Sequence, residues 1–428
     1  MLAAARQEIV ATRGLRLAAA RGAGYPTDVT PSLFFLDGPG GSGKTYLENA
    51  LLAYVRSQEE IALAVASSGI AAIMLEGGRT AHNRFKIPFT VSEDCVCSIS
   101  TQSADAELLR RARLIIWDEA PRQHRHAFEA VDRMLKDIRK STYPFGGTVM
   151  LLSGDWRQTL PIIKGGTNAE IVQSCLHKSA LWSAAHLLRL TANQRLFRAQ
   201  AQMSSAAREF QHSYNDWILR IGDGSQPSDA EHRVEIPPWM RLDGDDASAL
   251  IALVYGDHLA PTEDRAEYWS RRAILHARNV DVDLTNDTVL AMLAASPRIF
   301  LSADVALTQD GDEHPAFPAE HLASLNPPGL PPHRLCLKEG APIMLLRNLD
   351  PSHGLCNGTR LIVTALGSRV IQATILTGAS AHRGRSVLIP RINNRTAEGT
   401  LPFTLNRRQF PVKLSFAMTI NKSQGQSI

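Results

Sequence analysis

The chain has 428 residues, enough for two or three domains, with 44% hydrophobic and 21% charged residues as in an ordinary globular protein. No apolar run approaches the roughly 20 residues needed to span a bilayer, and a formal net charge of +4 is too small to argue for nucleic acid unaided. Five cysteines, with Cys95 and Cys97 the one close pair, fit neither a disulfide framework nor a zinc ribbon, so reduced thiols in an intracellular compartment are expected.

The first residues, MLAAARQEIVATRGLRLAAARG, read as a surface helix, with an Ala- and Arg-rich transit peptide as the alternative. LFFLDG (33–38) reads as a buried strand, followed by a helix from Lys44 to about Gln58. Further strands are expected at 62–67, 113–119 and 148–155. Their near-continuous apolar character predicts a parallel sheet covered by helices on both faces. The stretch 197–260 is polar, with a break at Gly222-Asp223-Gly224. RRAILHARNVDVDLTNDTVL then gives a strand and a helix, and APIMLLRNLD (341–350) another strand of a second α/β region. From 361 to 412, short strands separated by turns predict a small all-β insertion of barrel type.

Gly38-Pro39-Gly40-Gly41-Ser42-Gly43-Lys44-Thr45 meets the pattern G-x-x-x-x-G-K-[ST], after an expected strand and at the start of an expected helix. Glycines let successive N–H groups turn inward as an anion nest, and the helix N-terminus adds positive potential. Lys44 would reach the β- and γ-phosphates of a nucleoside triphosphate, and Thr45 would offer its hydroxyl to Mg²⁺. Ile115-Ile116-Trp117-Asp118-Glu119 ends a strand in an acidic pair. Asp118 suits the Mg²⁺ shell, and Glu119 suits a general base for water. Ser153-Gly154-Asp155-Trp156-Arg157-Gln158 follows the next strand, where Gln158 can orient that water or sense the γ-phosphate. An ordinary turn with a solvated Arg and Gln is the competing reading. Two α/β halves predict a nucleotide cleft at their junction, with Arg195 of Leu190-Thr191-Ala192-Asn193-Gln194-Arg195 as a candidate for stabilising γ-phosphate charge.

Several ordered stretches now carry a resemblance: FFLDGPGGSGKT, ASSGIAAIMLEGGRTAHNRFKIP, IIWDEAP, SGDWRQTLPII, LTANQR, LKEGAPIMLLRNLDPSHGLCNGTRLIV and FAMTINKSQGQSI. Together they resemble the PIF-type DNA helicases of superfamily 1, including the helicase domains of Helitron transposons. The resemblance implies two RecA-like P-loop motor domains with parallel sheets, at 1–195 and at 261–360 plus 413–428. It also implies a wedge at 84–107, a connector at 196–260 and an SH3-like β-barrel at 361–412. The implied activity is ATP-driven 5′ to 3′ movement on single-stranded DNA, with forks or duplex junctions as partners. The implied site is Lys44, Thr45, Asp118, Glu119 and Gln158, with Arg195 as an arginine finger. Ser67, Ser68, Gly69, Thr80 and His82 would line the DNA channel, and Thr419, Asn421, Lys422, Ser423 and Gln424 would grip the strand from the second motor domain.

Hydroxyl and amide side chains at loop tips do contact phosphates without reading sequence. They also cap their own backbone, which is the bland reading of Ser67 and Ser68. Phe85 and Trp156 are the candidates for base stacking, with core the better expectation for Phe85. Gln7 is a candidate for reading adenine. A Ser-Arg pair that supplies the family's second arginine does not follow Lys-Ser-Gln-Gly-Gln here, so weak ATP hydrolysis is expected of this chain. A non-catalytic DNA-binding remnant of a transposon-type helicase is the alternative function. A P-loop ATPase acting on protein is a third, disfavoured by the 416–428 stretch. A monomer in the nucleus is expected, with the mitochondrion as the other compartment. Genome maintenance and transposition both stay open as pathways.

Overall fold

Apolar strands that alternate with helices dictate the first half of the molecule. The computed structural model describes residues 32–88, 90–200, 203–242, 247–256, 265–308, 317–378, 382–396 and 401–424. The N-terminal helix and Gln7 lie outside these residues. The chain parts into a first unit ending at Glu235 and a second beginning at Ile236.

The strands of the first unit are β1 (Leu33–Asp37), β2 (Ile61–Ala66), β3 (Arg79–Thr80), β4 (Ala112–Asp118), β5 (Val149–Gly154) and β6 (His186–Arg189). They form one sheet in the order β3-β2-β4-β5-β1-β6, and every pairing is parallel. Its helices include α1 (Lys44–Ser57), α2 (Gly69–Met74), α3 (Ala81–Phe85), α4 (Ala104–Arg111), α5 (Arg125–Arg139), α6 (Asn168–Ser174), α7 (Gln194–Ala199) and α8 (Ser205–Gly222). Successive strand side chains point to opposite faces. Accordingly Phe35, Ile115, Trp117 and Leu152 pack with Phe128, Val131 and Leu135 of α5. Phe34, Leu36, Leu114, Ile116 and Leu151 pack on the other face with Leu52 and Val55 of α1. A strand sandwiched this way has no polar face, which explains the continuous apolar runs. Parts of the expected wedge belong to the same core: Ile87, Cys95 and Cys97 are buried in the cluster around Trp117.

In the second unit, α9 (Ala247–Tyr255), α10 (Arg265–Ser270), α11 (Asn279–Met292) and α12 (Ala319–Ser324) accompany short strands. β7 (Ile274–His276) pairs in parallel with β18 (Ala417–Thr419), which leads into α13 (Ile420–Ser423). β8 (Arg298–Leu301) pairs with β10 (Arg334–Leu337). β9 (Ala303–Leu307), β15 (Ile392–Arg395) and β16 (Thr404–Gln409) form a three-stranded antiparallel sheet. β11 (Pro342–Leu345), β12 (Arg360–Leu366), β13 (Val370–Ile375), β14 (Ser386–Pro390) and β17 (Val412–Leu414) form a five-stranded antiparallel sheet in the order β14-β13-β12-β11-β17.

One strand differs from the sequence expectation. The sequence places 341–350 in the second α/β region, yet β11 pairs antiparallel with both β12 and β17. All four residues of β11 are buried, so its periodicity cannot distinguish the two kinds of sheet. The β18 backbone is held by Asn286 of α11. Its amide oxygen accepts from the Ala417 N–H at 2.9 Å, and its amide nitrogen donates to the Ala417 carbonyl at 3.2 Å. Among the described residues no helix is long and apolar enough to cross a membrane.

Asn286→Ala strands a buried backbone N–H and carbonyl. Urea unfolding is expected to show a loss of about 2 kcal/mol in the second unit. A loss below about 0.5 kcal/mol would mean that β18 does not depend on this side chain.

Candidate nucleotide and nucleic-acid site

β1 ends at Asp37, and the chain turns through Gly38–Gly43 into α1. Gly41 and Gly43 have φ of 84° and 96°, a region that side chains disfavour. A Cβ on Gly41 would stand 2.7 Å from Asn193 Oδ1 and 2.9 Å from the Arg195 Cβ. The glycine therefore lets the loop close against the start of α7. Arg195 completes that contact by donating its backbone N–H to the Gly41 carbonyl at 3.2 Å. Its side chain is exposed beside the loop.

The Lys44 ammonium donates to the carbonyls of Gly38 at 2.5 Å and Pro39 at 3.4 Å. Thr45 follows it, half-buried in the first turn of α1. Asp118 ends β4 and is buried. Its Oδ1 accepts from the Glu119 N–H at 2.7 Å and the Ser153 hydroxyl at 3.2 Å. Glu119 itself is left-handed, with φ 56°. For a non-glycine residue that geometry costs on the order of 1 kcal/mol, and such strain gathers at functional sites.

Burial raises the carboxyls of both residues above the usual range; the neighbouring Asp118 charge adds to it at Glu119, which is pushed up to about 7. The Lys44 ammonium pulls back on Asp37, Glu48, Asp118 and Glu119, so all four carboxyls lie within its electrostatic reach. Gln158 Nε2 donates to Asp155 Oδ2 at 3.0 Å, which fixes its amide beside the strand ends. Arg157 is no solvated turn residue: it pairs with Asp155 at 3.3 Å and with Asp223 beyond α8 at 2.7 Å.

One participant escaped the sequence reading, and another was read only as part of a motif. Glu48, one turn after Lys44, is wholly buried, and Ser153 of β5 hydrogen-bonds both it and Asp118. The signal was available: Glu48 lies on the stripe of α1 that otherwise buries Leu52 and Val55.

The proposed DNA residues fall in two groups. Ser67 and Ser68 follow β2, and Gly69 opens α2. Ser67 Oγ accepts from the Trp117 indole N–H at 3.1 Å, and the Ser67 N–H donates to the Asp118 carbonyl at 3.1 Å. The Ser68 hydroxyl caps α2 by accepting from the Ala71 N–H, and Thr80 caps α3 by accepting from the Asn83 N–H. His82 lies in α3, where burial lowers its imidazole below its ordinary value. In the second unit, Thr419, Asn421, Lys422, Ser423 and Gln424 surround α13. Lys422 donates to Asn357 Oδ1 at 3.1 Å and Ser423 to the Ile420 carbonyl at 2.8 Å. Phe85 is core: it is fully buried against Trp117 with ring centroids 5.5 Å apart, which removes it as a base platform. Trp156 stacks on Phe35 at 5.1 Å and remains partly exposed.

A parallel sheet whose carboxyl edge carries a glycine loop, its lysine and an acidic pair defines a P-loop domain. Family models match the chain twice, as PIF1-like helicase over residues 26–232 and as the 2B domain of DNA helicase Pif1 over residues 320–366. The chain belongs to the PIF1-like helicases. It is 25% identical to the ATP-dependent DNA helicase PIF1 of Danio rerio over 401 residues, 92% of this chain and 53% of that protein. It is 25% identical to the human protein of that name over 406 residues, 93% of this chain and 53% of that protein. The chain thus spans about half the length of these curated relatives.

Among solved structures, Pif1 from Candida albicans matches with a TM-score of 0.62 at 20% identity, covering 97% of this chain and 87% of that one. Bacteroides Pif1 bound to single-stranded DNA matches with a TM-score of 0.61 at 22% identity, covering 97% and 83%. The fold is accordingly that of these Pif1 structures.

The raised Glu119 carboxyl has a consequence for stability. Ionising it is harder in the folded than in the unfolded chain, whose ordinary value is 4.5. The resulting penalty is absent at acid pH and grows as pH rises through about 7. Glu119→Gln removes it. In nucleotide-free protein the variant is expected to exceed the parent in stability at about pH 8 by on the order of 2 kcal/mol, allowing for solvent screening. The difference should shrink toward zero at about pH 4, measured by urea unfolding. A pH-independent difference contradicts this account.

Proposed function

We propose that this chain is the motor of an ATP-dependent DNA helicase that moves 5′ to 3′ on single-stranded DNA and acts at forks or duplex junctions. The observation that carries the reading is the Lys44 ammonium within electrostatic reach of the buried carboxyls at the strand ends, beside a glycine loop. Family membership supports it, as do relatives described as ATP-dependent DNA helicases and a related structure that holds single-stranded DNA.

The loop fits a triphosphate. Left-handed Gly41 and Gly43 shape a nest of N–H groups, and Lys44 supplies the cation for the outer phosphates. The donor set fits Mg²⁺: the Thr45 hydroxyl and the Asp118 carboxylate are hard oxygens, of the kind this ion takes beside nucleotide phosphates. Ser42 Oγ, buried in the same loop without a hydrogen-bond partner among the described residues, agrees with a polar ligand there. Bound Mg²⁺ would neutralise charge that develops on the phosphates. Glu119, basic once ionised, takes the proton of the attacking water, and Gln158 orients that water. Arg195, standing against the loop, offers positive charge to the transferred phosphoryl group. Ser67, Ser68, Gly69, Thr80 and His82, and separately Thr419, Asn421, Lys422, Ser423 and Gln424, provide contacts to phosphate and sugar that do not depend on sequence.

ATP hydrolysis with and without single-stranded DNA, beside Lys44→Ala, tests the reading. Turnover is expected to rise with DNA and to fall at least about 100-fold in the variant. Salt-sensitive DNA binding without turnover in either protein would instead indicate a DNA-binding remnant.

A further inference from the structure

Behind the phosphate loop, three buried polar side chains form a chain of contacts. Glu48 and Ser153 are fully buried, and Asp118 is 5% exposed. Ser153 Oγ hydrogen-bonds Glu48 Oε1 on one side and Asp118 Oδ1, at 3.2 Å, on the other. A serine hydroxyl has one hydrogen. It can donate to one carboxylate only, so both contacts are hydrogen bonds only if one carboxyl brings its own proton. Asp118 Oδ1 already accepts the Glu119 N–H, a bond that favours the charged form of that carboxyl. Glu48 Oε2 has no hydrogen-bond partner among the described residues, an arrangement a buried anion does not tolerate. The proton therefore belongs to Glu48. Burial, reinforced by the Asp118 charge, holds that carboxyl well above the usual range.

We infer that Glu48 is a protonated positioning residue, donating to Ser153 Oγ while Ser153 donates to Asp118 Oδ1, so that this relay orients the carboxylate that serves Mg²⁺ with its other oxygen. The inference rests on the Mg²⁺–nucleotide reading of the loop. Outer groups that orient a metal-binding side chain typically change metal affinity by about 10- to 100-fold when removed. Glu48 does not touch the phosphates in this scheme; it acts through Ser153.

The test uses the full chain and two readouts. In the first, Mg²⁺ is titrated against a fixed concentration of a fluorescent ADP analogue. Glu48→Gln keeps an N–H donor toward Ser153, and its half-saturating Mg²⁺ is expected to stay within about two-fold of the parent. Glu48→Leu removes the donor and Ser153→Ala removes the middle of the relay. Both are expected to need at least about 10-fold more Mg²⁺. In the second, infrared difference spectra at mildly alkaline pH should show a protonated carboxyl band in the parent. That band should be lost in Glu48→Gln and shifted in Ser153→Ala. Parent-like Mg²⁺ affinity in folded Glu48→Leu and Ser153→Ala, or no such band, overturns the inference. Should Glu48→Leu fail to fold, Ser153→Ala and the infrared band decide. A parent whose nucleotide binding ignores Mg²⁺ overturns the reading of the site and the Mg²⁺ role of the relay together, while the band still reports where the proton sits.

Discussion

The dehydration of carboxyls where parallel strands end is the constraint on which the rest of this site depends. A sheet covered on both faces must be apolar along its strands, so polar chemistry is driven to the carboxyl ends. There β1, β4 and β5 deliver Asp37, Asp118 and Asp155. The helices that cover the sheet also shut solvent away from those acids. Asp37, Glu48, Asp118 and Glu119 are all held above their ordinary range by burial first, and the Lys44 ammonium opposes that effect at each. The packing that makes the sheet stable thus makes its edge receptive to a cation and to a proton.

The second unit meets the same problem of buried charge with a different solution. Arg407 of β16 is fully buried and pairs with Asp304 of β9 at 2.8 Å. Its remaining donors reach the carbonyls of Pro331, Leu322 and Leu325. Each guanidinium nitrogen thus has at least one acceptor, the kind of satisfaction under which a buried ion pair is tolerated. One edge holds its charges open to ligand, whereas this sheet closes its charges on themselves.

These two solutions explain what the sequence could and could not reveal. β1, β2, β4 and β5 were legible to within about a residue because a strand buried on both faces is written as an unbroken apolar run. The loop and the acidic pair were legible because their chemistry demands particular residues at fixed spacing. β3 and β6 are short edge strands, and β6 is largely exposed, so neither produces a pattern. β16 carries no apolar alternation, because its inward positions are Leu405, Arg407 and Gln409. Glu48 hid in the same way, as a polar residue on the inner stripe of a helix. Hydrophobic periodicity fails wherever a buried position is polar, and those positions are the ones that carry charge or hold a neighbour in place.

The join between β2 and β4 has a mechanical consequence. The strands are paired to their last residues, Ala66 with Asp118. Beyond them the Ser67 N–H is tied to the Asp118 carbonyl and the Ser67 hydroxyl to the Trp117 indole. No glycine or unpaired residue separates the acid from the serine loop, so there is no slack between them. A push on Asp118 reaches Ser67 through stiff hydrogen bonds rather than through a swinging segment. Displacing either residue therefore strains hydrogen bonds that it shares with the other.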